Sequence, residues 1–202
     1  MSRLITFGCS YTYGHGLPDC HVPPNKPGPK PSKLSWASIL AQYLNLDLVN
    51  LAQSGVSNLH ILWHLLNFDF KEDDTCIIMW THFNRHPKSL LNYDSSIMKW
   101  TKYEEINSSD IARIEDENLS LTNFISIHHA HLYLKEKNIK HNFLIVTWPE
   151  NKFPIPSVLH MPVLLRYKNF YSFDRALDNV HPGIKSHEIL AKFIYQEMNV
   201  LR

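Results

Sequence analysis

The sequence predicts an α/β protein: a three-layer α/β/α sandwich around a flavodoxin-like parallel sheet of four or five strands. Two observations lead to this fold class. Short apolar runs typical of buried strands alternate with segments whose apolar residues recur at helical spacing. Successive strand-like runs are also separated by enough chain to hold a crossover helix, which is typical of a parallel sheet covered on both faces.

The individual elements follow from local patterns. The first strand is the apolar run Leu4–Phe7, and the first predicted helix is Trp36–Leu44, with Ser35 at its N-cap position. The remaining predictions are a strand at 48–51, a helix beginning near 58, a strand at 75–80, a long helix at about 121–137, a strand at 142–147 and a last helix at about 184–198.

Two stretches interrupt this alternation within a chain that we expect to form a single domain, 1–202. The segment at about 18–34 contains half of the 12 prolines and is predicted to be an irregular loop. The segment at about 86–120 is mixed and partly acidic. We expect it to be a solvated insertion, and the alternative is a cap over a pocket.

Composition excludes several classes of partner. Lysine and arginine number 20 against 19 acidic residues, so no one-sided charge favours nucleic acid or an anionic membrane. No stretch approaches the ~18 apolar residues of a membrane span, and no signal peptide is recognisable. The 3 cysteines cannot all pair within one chain and match no zinc module. A soluble cytoplasmic protein with a small-molecule partner is expected.

Polar turns follow the predicted strands. Ser10 comes directly after the first strand, Ala52–Gly55 after the second and Thr81–Asn84 after the third, while Asp178–His181 precedes the last helix. Ligands of such sheets gather beyond the carboxyl ends of the strands, where these turns are expected to meet. A serine in this place is either the N-cap of the next helix or a nucleophile.

Three blocks, taken in order, resemble those of the SGNH, or GDSL, hydrolases, a family of esterases, lipases and acetylhydrolases. They are Gly8-Cys9-Ser10-Tyr11-Thr12, Asn50–Gly55 and Asp178-x-x-His181-Pro182. Because their order and their placement from one end to the other also fit, the resemblance extends over nearly the whole chain. The resemblance implies the SGNH hydrolase fold and a catalytic triad of Ser10, Asp178 and His181. In that triad the serine attacks a carbonyl, the histidine takes its proton and the aspartate orients the histidine.

The resemblance also implies an oxyanion hole formed by the backbone N–H groups of Ser10 and Gly55 and a third donor from the next block. Here the sequence departs from the family, because Trp80–Asn84 replaces its Gly-x-Asn pattern. His82 and Asn84 are both candidates for the third donor, with Asn84 slightly favoured. A second departure is Cys9, which stands where the family has aspartate before its nucleophile.

The function that the resemblance implies is hydrolysis of a carboxylic ester through an acyl-enzyme, with an acetyl group on a carbohydrate as the favoured substrate. The alternatives are an O-acyltransferase that uses the same triad and a non-catalytic carbohydrate- or ligand-binding module on the same fold. In a purely structural interpretation, Asp178 and His181 form a capping and surface pair and Gly55 is a turn glycine. No cofactor and no metal are expected, although the chain has 13 histidines. His128, His129 and His131 are poorly spaced to share one helix face, and His15, Cys20 and His21 are expected in a flexible loop.

Overall fold

The computed structural model describes residues 2–82, 85, 109–145, 163–166 and 173–200, with the backbone alone described at 109–120, 163–166 and 200. The elements in these ranges are β1 (Arg3–Phe7), α1 (Ser10–Tyr13), β2 (His21–Val22), β3 (Lys26–Pro27), α2 (Trp36–Leu44), β4 (Asp47–Asn50), α3 (Asn58–Leu66), β5 (Thr75–Trp80), α4 (Ser109–Glu136), β6 (Lys140–Ile145), β7 (Val163–Arg166) and α5 (Ile184–Val200).

Five strands form one parallel sheet in the order β4-β1-β5-β6-β7. The register places Ile5 of β1 opposite Val49 of β4 on one side and Cys76 of β5 on the other. Helix α2 packs with α5, and α3 packs with α4. This is the doubly wound order of flavodoxin-like sheets, and the predicted fold class is confirmed.

The core lies on the central strands. After the first residue of each strand, all side chains are buried on both faces of the sheet, and all but Thr6 are apolar, as expected where helices cover each face. Trp80 of β5 packs edge-to-face on Phe143 of β6, with ring centroids 5.8 Å apart. The fully buried side chains of β1 and β5 include Leu4, Ile5, Phe7, Ile77 and Ile78. The two central strands therefore give their carboxyl ends a rigid support.

Local signals located most elements but missed others. Ser35 caps α2 as predicted, since its Oγ accepts a hydrogen bond from the backbone N–H of Ser38. Strand β7 was not predicted, because a four-residue apolar run does not distinguish strand from helix. Helix α4 begins at Ser109, inside the segment interpreted as an insertion, and 86–108 lie outside the described residues. No helix in the described ranges is long and apolar enough to cross a membrane.

The proline-rich segment is more ordered than the irregular loop that its composition predicts. It contains the short antiparallel pair β2 and β3. The Tyr13 hydroxyl of α1 donates to the carbonyl of Gly28 at 2.6 Å, and Asp19 accepts hydrogen bonds from the Ser32 hydroxyl and the Lys33 backbone. These polar contacts fix the segment against α1 where proline composition alone indicated only a loop.

A buried histidine joins the helices of one layer. His187 of α5 is fully buried, and its Nδ1 accepts a hydrogen bond of 3.0 Å from the backbone N–H of Trp36 at the start of α2. Burial lowers the pKa of His187 to about 3. A second buried histidine, His60 of α3, also has its pKa lowered to about 3 by burial. Both rings are neutral in the folded protein at neutral pH.

We expect mild acid to destabilise the protein. Because the folded pKa of His187 lies below the unfolded value of about 6.5, the unfolded state binds more protons between these values, and stability is lost as pH falls through this window. At pH 5 the loss from His187 alone should be about 2 kcal/mol. Urea unfolding at pH 7.5, 6 and 5 measures it. His187→Asn, which keeps an acceptor but does not titrate, should show a flatter pH dependence, and an unchanged slope would contradict the assignment.

Candidate active site

Ser10 lies at the carboxyl end of β1, in the first turn of α1. Cys9 is the N-cap residue of this helix, so Ser10 does not have the capping role that was its structural alternative. The Ser10 side chain is 2% exposed, and its hydroxyl forms no hydrogen bond within the described part of the chain. A buried hydroxyl without a partner costs stability, and such groups call for a functional explanation.

The turn after β4 is fixed beside the Ser10 turn. The Asn50 side chain donates to the carbonyl of Thr12 at 3.0 Å and accepts from the backbone N–H of Ala52 at 3.1 Å. The backbone N–H of Gln53 donates to the carbonyl of Gly8 at 3.1 Å. Gly55 then has φ +85° and is exposed, and a Cβ on it would have no atom within 4 Å. Its backbone therefore borders open space at the rim of the sheet.

Asp178 and His181 form a close pair on the loop before α5. The His181 Nδ1 lies 2.5 Å from Asp178 Oδ2, while Asp178 Oδ1 accepts from the backbone N–H groups of Val180 and His181, each at 3.0 Å. Burial would raise the pKa of Asp178, but these hydrogen bonds together outweigh it and lower the pKa. The carboxylate is therefore charged at neutral pH and holds one edge of the imidazole.

Gly16 lets the loop that carries Asp178 approach α1. The Gly16 carbonyl accepts a hydrogen bond of 3.0 Å from the backbone N–H of Leu177. Gly16 has φ +87°, and a Cβ on it would lie 2.7 Å from the Asp178 carboxyl carbon. Both the backbone conformation and the close approach require a residue without a side chain here.

Gly16→Ala is expected to destabilise the protein by roughly 1–3 kcal/mol from backbone strain, with a further loss from the clash of its Cβ with Asp178, and to displace Asp178 from His181. Gly55→Ala is the matched control, because Gly55 has a similar φ of +85° but open space around its Cβ. Urea unfolding should show the larger loss for Gly16→Ala. The downfield NMR signal of the His181 Nδ1 proton should also be lost only in Gly16→Ala, and equal behaviour of the two variants would refute the steric argument.

The His181 ring packs against side chains next to Ser10. Its centroid lies 5.8 Å from that of Tyr11 in an edge-to-face arrangement and 4.4 Å from that of His15, with the latter two rings stacked at 26°. Tyr11 follows Ser10 directly, and the backbone N–H of His15 donates to the Ser10 carbonyl at 3.0 Å. The Asp178–His181 pair thus meets the turn that carries Ser10.

His82 reaches the same place from the end of β5. Its Nε2 lies 3.4 Å from the Tyr11 hydroxyl oxygen. The Asn58 side chain fixes this segment, because its Oδ1 accepts from the Thr81 backbone at 2.7 Å and its Nδ2 donates to the Thr81 carbonyl. Burial and the charge of Arg85 lower the pKa of His82, so its ring is neutral at pH 7. Asn84, the other candidate for the third donor, lies outside the described residues.

Sequence reasoning missed three contributors to this site. Asn58 was seen only as the start of a helix, Tyr11 only as part of a motif, and His15 only as a residue of a flexible loop. Their roles depend on contacts between separate turns, such as the 2.7 Å hydrogen bond between His15 Nδ1 and Ser54 Oγ. The sequence signal that could have indicated Tyr11 and His15 is their position one and five residues after Ser10.

One group of side chains has the composition of a metal site. One ligand atom each from His15, Asp178 and His181 lies within 4.8 Å of the others. The 2.5 Å separation of His181 Nδ1 and Asp178 Oδ2 is a hydrogen-bond distance. Two ligands on one zinc ion, each at about 2.0–2.2 Å and at tetrahedral angles, would lie roughly 3.3 Å apart. The arrangement therefore fits a hydrogen-bonded Asp–His pair better than a shared ion.

Comparison with known proteins gave structural neighbours only. No protein-family model matches the sequence, and no curated protein matches it. A carbohydrate esterase, described as having an active site that displays divergent catalytic and non-catalytic binding functions, shares 14% identity at a TM-score of 0.59 over 98% of this chain and 68% of its own. A catalytic mutant of Axe2, an acetylxylan esterase from Geobacillus stearothermophilus, shares 16% identity at a TM-score of 0.52 over 97% and 93%.

A third neighbour is a member of the lipolytic protein G-D-S-L family from Veillonella parvula, with 12% identity and a TM-score of 0.54 over 97% of each chain. At such identities the likeness establishes the fold. The chain has the α/β fold of the GDSL, or SGNH, hydrolases, as the three sequence blocks predicted, and its sequence is strongly diverged from these neighbours.

Proposed function

We propose that this chain, which has the SGNH-hydrolase fold, is a serine esterase that uses Ser10, His181 and Asp178 to cleave a carboxylic ester. One observation carries the proposal. The Ser10 hydroxyl, which is buried and has no hydrogen-bond partner among the described residues, lies in the turn against which the hydrogen-bonded Asp178–His181 pair packs. A nucleophile, a neutral base and a carboxylate that orients the base are the three parts that acyl transfer needs.

The proposed reaction has two steps. His181 Nε2 takes the Ser10 proton as Oγ attacks the ester carbonyl, and the resulting imidazolium then protonates the leaving alcohol. Water, deprotonated by His181, next attacks the acyl-Ser10 ester and releases the acid and free serine. The hydrogen bond from His181 Nδ1 to Asp178 keeps the proton on Nδ1 and leaves Nε2 free to accept one.

The negative oxygen formed in each step needs hydrogen-bond donors. The Ser10 N–H lies in the first turn of α1, where backbone N–H groups have no acceptor within the helix. The Gly55 backbone borders open space beside this turn. We assign these two N–H groups to the oxyanion hole, with His82 or Asn84 as the third donor. A neutral imidazole carries one N–H, which is a hydrogen-bond donor.

The substrate we favour is an acetyl ester of a carbohydrate. Support comes from the neighbours described as an acetylxylan esterase and a carbohydrate esterase. The same acyl-enzyme transferred to a sugar hydroxyl would make the protein an O-acyltransferase. A non-catalytic binding module is the second candidate, and it is favoured by the neighbour whose active site has non-catalytic binding functions and by the unusual Trp80–Asn84 segment.

Initial rates on p-nitrophenyl acetate, p-nitrophenyl octanoate and acetylated xylo-oligosaccharides test the proposal. An esterase for small acyl groups should turn over the acetate and the acetylated sugar faster than the octanoate. Addition of EDTA should leave the rate unchanged, since no step uses a metal. Loss of activity with EDTA would favour an ion at His15, Asp178 and His181. A folded protein that binds the acetylated sugar without hydrolysing it would be a binding module.

A further inference from the structure

His15 is a buried histidine that the proposed chemistry does not use. It is 8% exposed, and its backbone N–H donates to the Ser10 carbonyl at 3.0 Å, which ties it to the turn of the proposed nucleophile. It lies next to Gly16, whose carbonyl holds the loop of Asp178 through Leu177. The backbone around His15 therefore connects the turn of Ser10 to the loop of Asp178 and His181.

The His15 ring connects the loop of His181 to the turn that contains Ser54. Its face stacks on the His181 ring, with centroids 4.4 Å apart and planes inclined by 26°. Its Nδ1 is hydrogen-bonded to Ser54 Oγ at 2.7 Å. Ser54 directly precedes Gly55, so the ring joins the imidazole of the proposed base to the turn that borders the proposed oxyanion hole.

The stacking of His15 on His181 constrains the imidazole in a way that its other contacts do not. The hydrogen bond to Asp178 holds one edge of the imidazole, but a single bond of this kind leaves the ring able to tilt about it. Tyr11 contacts the ring edge-to-face at a centroid distance of 5.8 Å and does not cover its plane. Among the described side chains with a ring contact to His181, His15 is the one stacked on its face. His15 is therefore the described ring that covers the plane of the His181 imidazole.

We propose that His15 is a positioning residue for His181: anchored by Ser54, it fixes the plane of the His181 imidazole so that Nε2 is presented to the Ser10 hydroxyl. This inference rests on the proposed function. His15 acts through His181 and need not touch the substrate. Small misplacements of a catalytic group lower rates strongly, with about 1 Å able to cost ~10²-fold, so such a support has a large effect.

The charge of His15 suits this role. Burial lowers its pKa, the nearby His181 ring lowers it further, and the Asp178 carboxylate partly opposes this effect. His15 is therefore neutral at pH 7. When His181 takes the serine proton, the imidazolium forms beside the Asp178 carboxylate, which stabilises the cation, and against a neutral His15 ring that does not repel it.

The test compares His15→Ala, which removes the ring, with His15→Phe, which keeps an aromatic face, and with Ser54→Ala, which removes the anchor. With p-nitrophenyl acetate, His15→Ala should lower kcat by ~10²-fold with KM nearly unchanged. His15→Phe should recover most of that loss, and Ser54→Ala should show a smaller decrease in kcat. His129→Ala, an exposed histidine of α4, controls for the removal of a histidine.

Histidine-selective NMR gives a readout that does not require activity. In the wild type the ring current of His15 should shift the His181 ring protons, and the His181 Nδ1 proton should be visible downfield. His15→Ala should remove the shift and broaden the downfield signal, while His15→Phe should retain both. Unchanged His181 signals in a folded His15→Ala, or equal kcat losses in the Ala and Phe variants, would overturn the inference. If the wild type hydrolyses no ester, the proposed function fails, whereas the NMR result still decides whether His15 orders His181.

Discussion

Ser10→Ala is expected to lower kcat for p-nitrophenyl acetate by ~10⁴–10⁶-fold, because no acyl-enzyme can form without the hydroxyl. The same substitution should not destabilise the protein. It removes a buried hydroxyl that has no hydrogen-bond partner in the described ranges, and alanine is favourable in a helix. Loss of activity together with equal or greater stability is the signature of a residue kept for chemistry.

The control for this variant is Ser126→Ala. Ser126 is similarly buried, at 1% exposed, and its hydroxyl donates to the Thr122 carbonyl within α4. We expect this variant to keep its kcat. If Ser10→Ala retains activity, or if it unfolds while Ser126→Ala does not, then Ser10 has a structural role and the assignment of the nucleophile is wrong.

Asp178→Asn is expected to lower kcat by about 10⁴-fold with little change in KM. An amide of the same shape can still accept hydrogen bonds from the Val180 and His181 backbone through its oxygen. Its nitrogen would then donate to His181 Nδ1, which forces the ring proton onto Nε2, and the imidazole could no longer accept the serine proton. The loss follows from the wrong tautomer and requires no change in the fold.

Asp174→Asn is the matched control for this substitution. Asp174 lies in the same loop and accepts hydrogen bonds from the backbone of Lys185 and Ser186 at the start of α5. Its replacement should lower the free energy of unfolding and leave kcat per folded molecule unchanged. Comparable kcat losses in the two variants would show that Asp178 only holds the loop.

Much of the fold could be predicted because many of its helices and strands are determined by local sequence patterns. The continuous apolar runs of β1 and β5 and the capped helix α2 have local causes, so their positions follow from propensity and spacing. Strand β7 was missed because its four residues do not distinguish strand from helix, and its pairing at the edge of the sheet depends on contacts with β6. The hairpin within the proline-rich segment likewise depends on polar contacts across the loop.

In the candidate site, too, some residues could be predicted from local motifs, whereas others depend on contacts between distant parts of the chain. Ser10, Asp178 and His181 could be predicted as a triad because the short blocks that contain them resemble those of the SGNH hydrolases. His15 was predicted only as a loop residue. Its contact with His181 joins positions 166 residues apart, so no local pattern in the sequence could indicate it. The third oxyanion donor stays a prediction, since the chain departs from the family pattern at Trp80–Asn84 and only His82 of the two candidates is described.

Labelling with a fluorophosphonate, read by peptide mass spectrometry, tests the central claim most directly. The probe reacts with a serine only when a base removes its proton and the oxyanion is stabilised, so it reports the assembled site without knowledge of the substrate. We expect one adduct, on Ser10, in the wild type, no adduct in Ser10→Ala and greatly slowed labelling in His181→Ala. A folded wild-type protein that takes no label, or takes it on another residue, would contradict the serine esterase and favour a binding module.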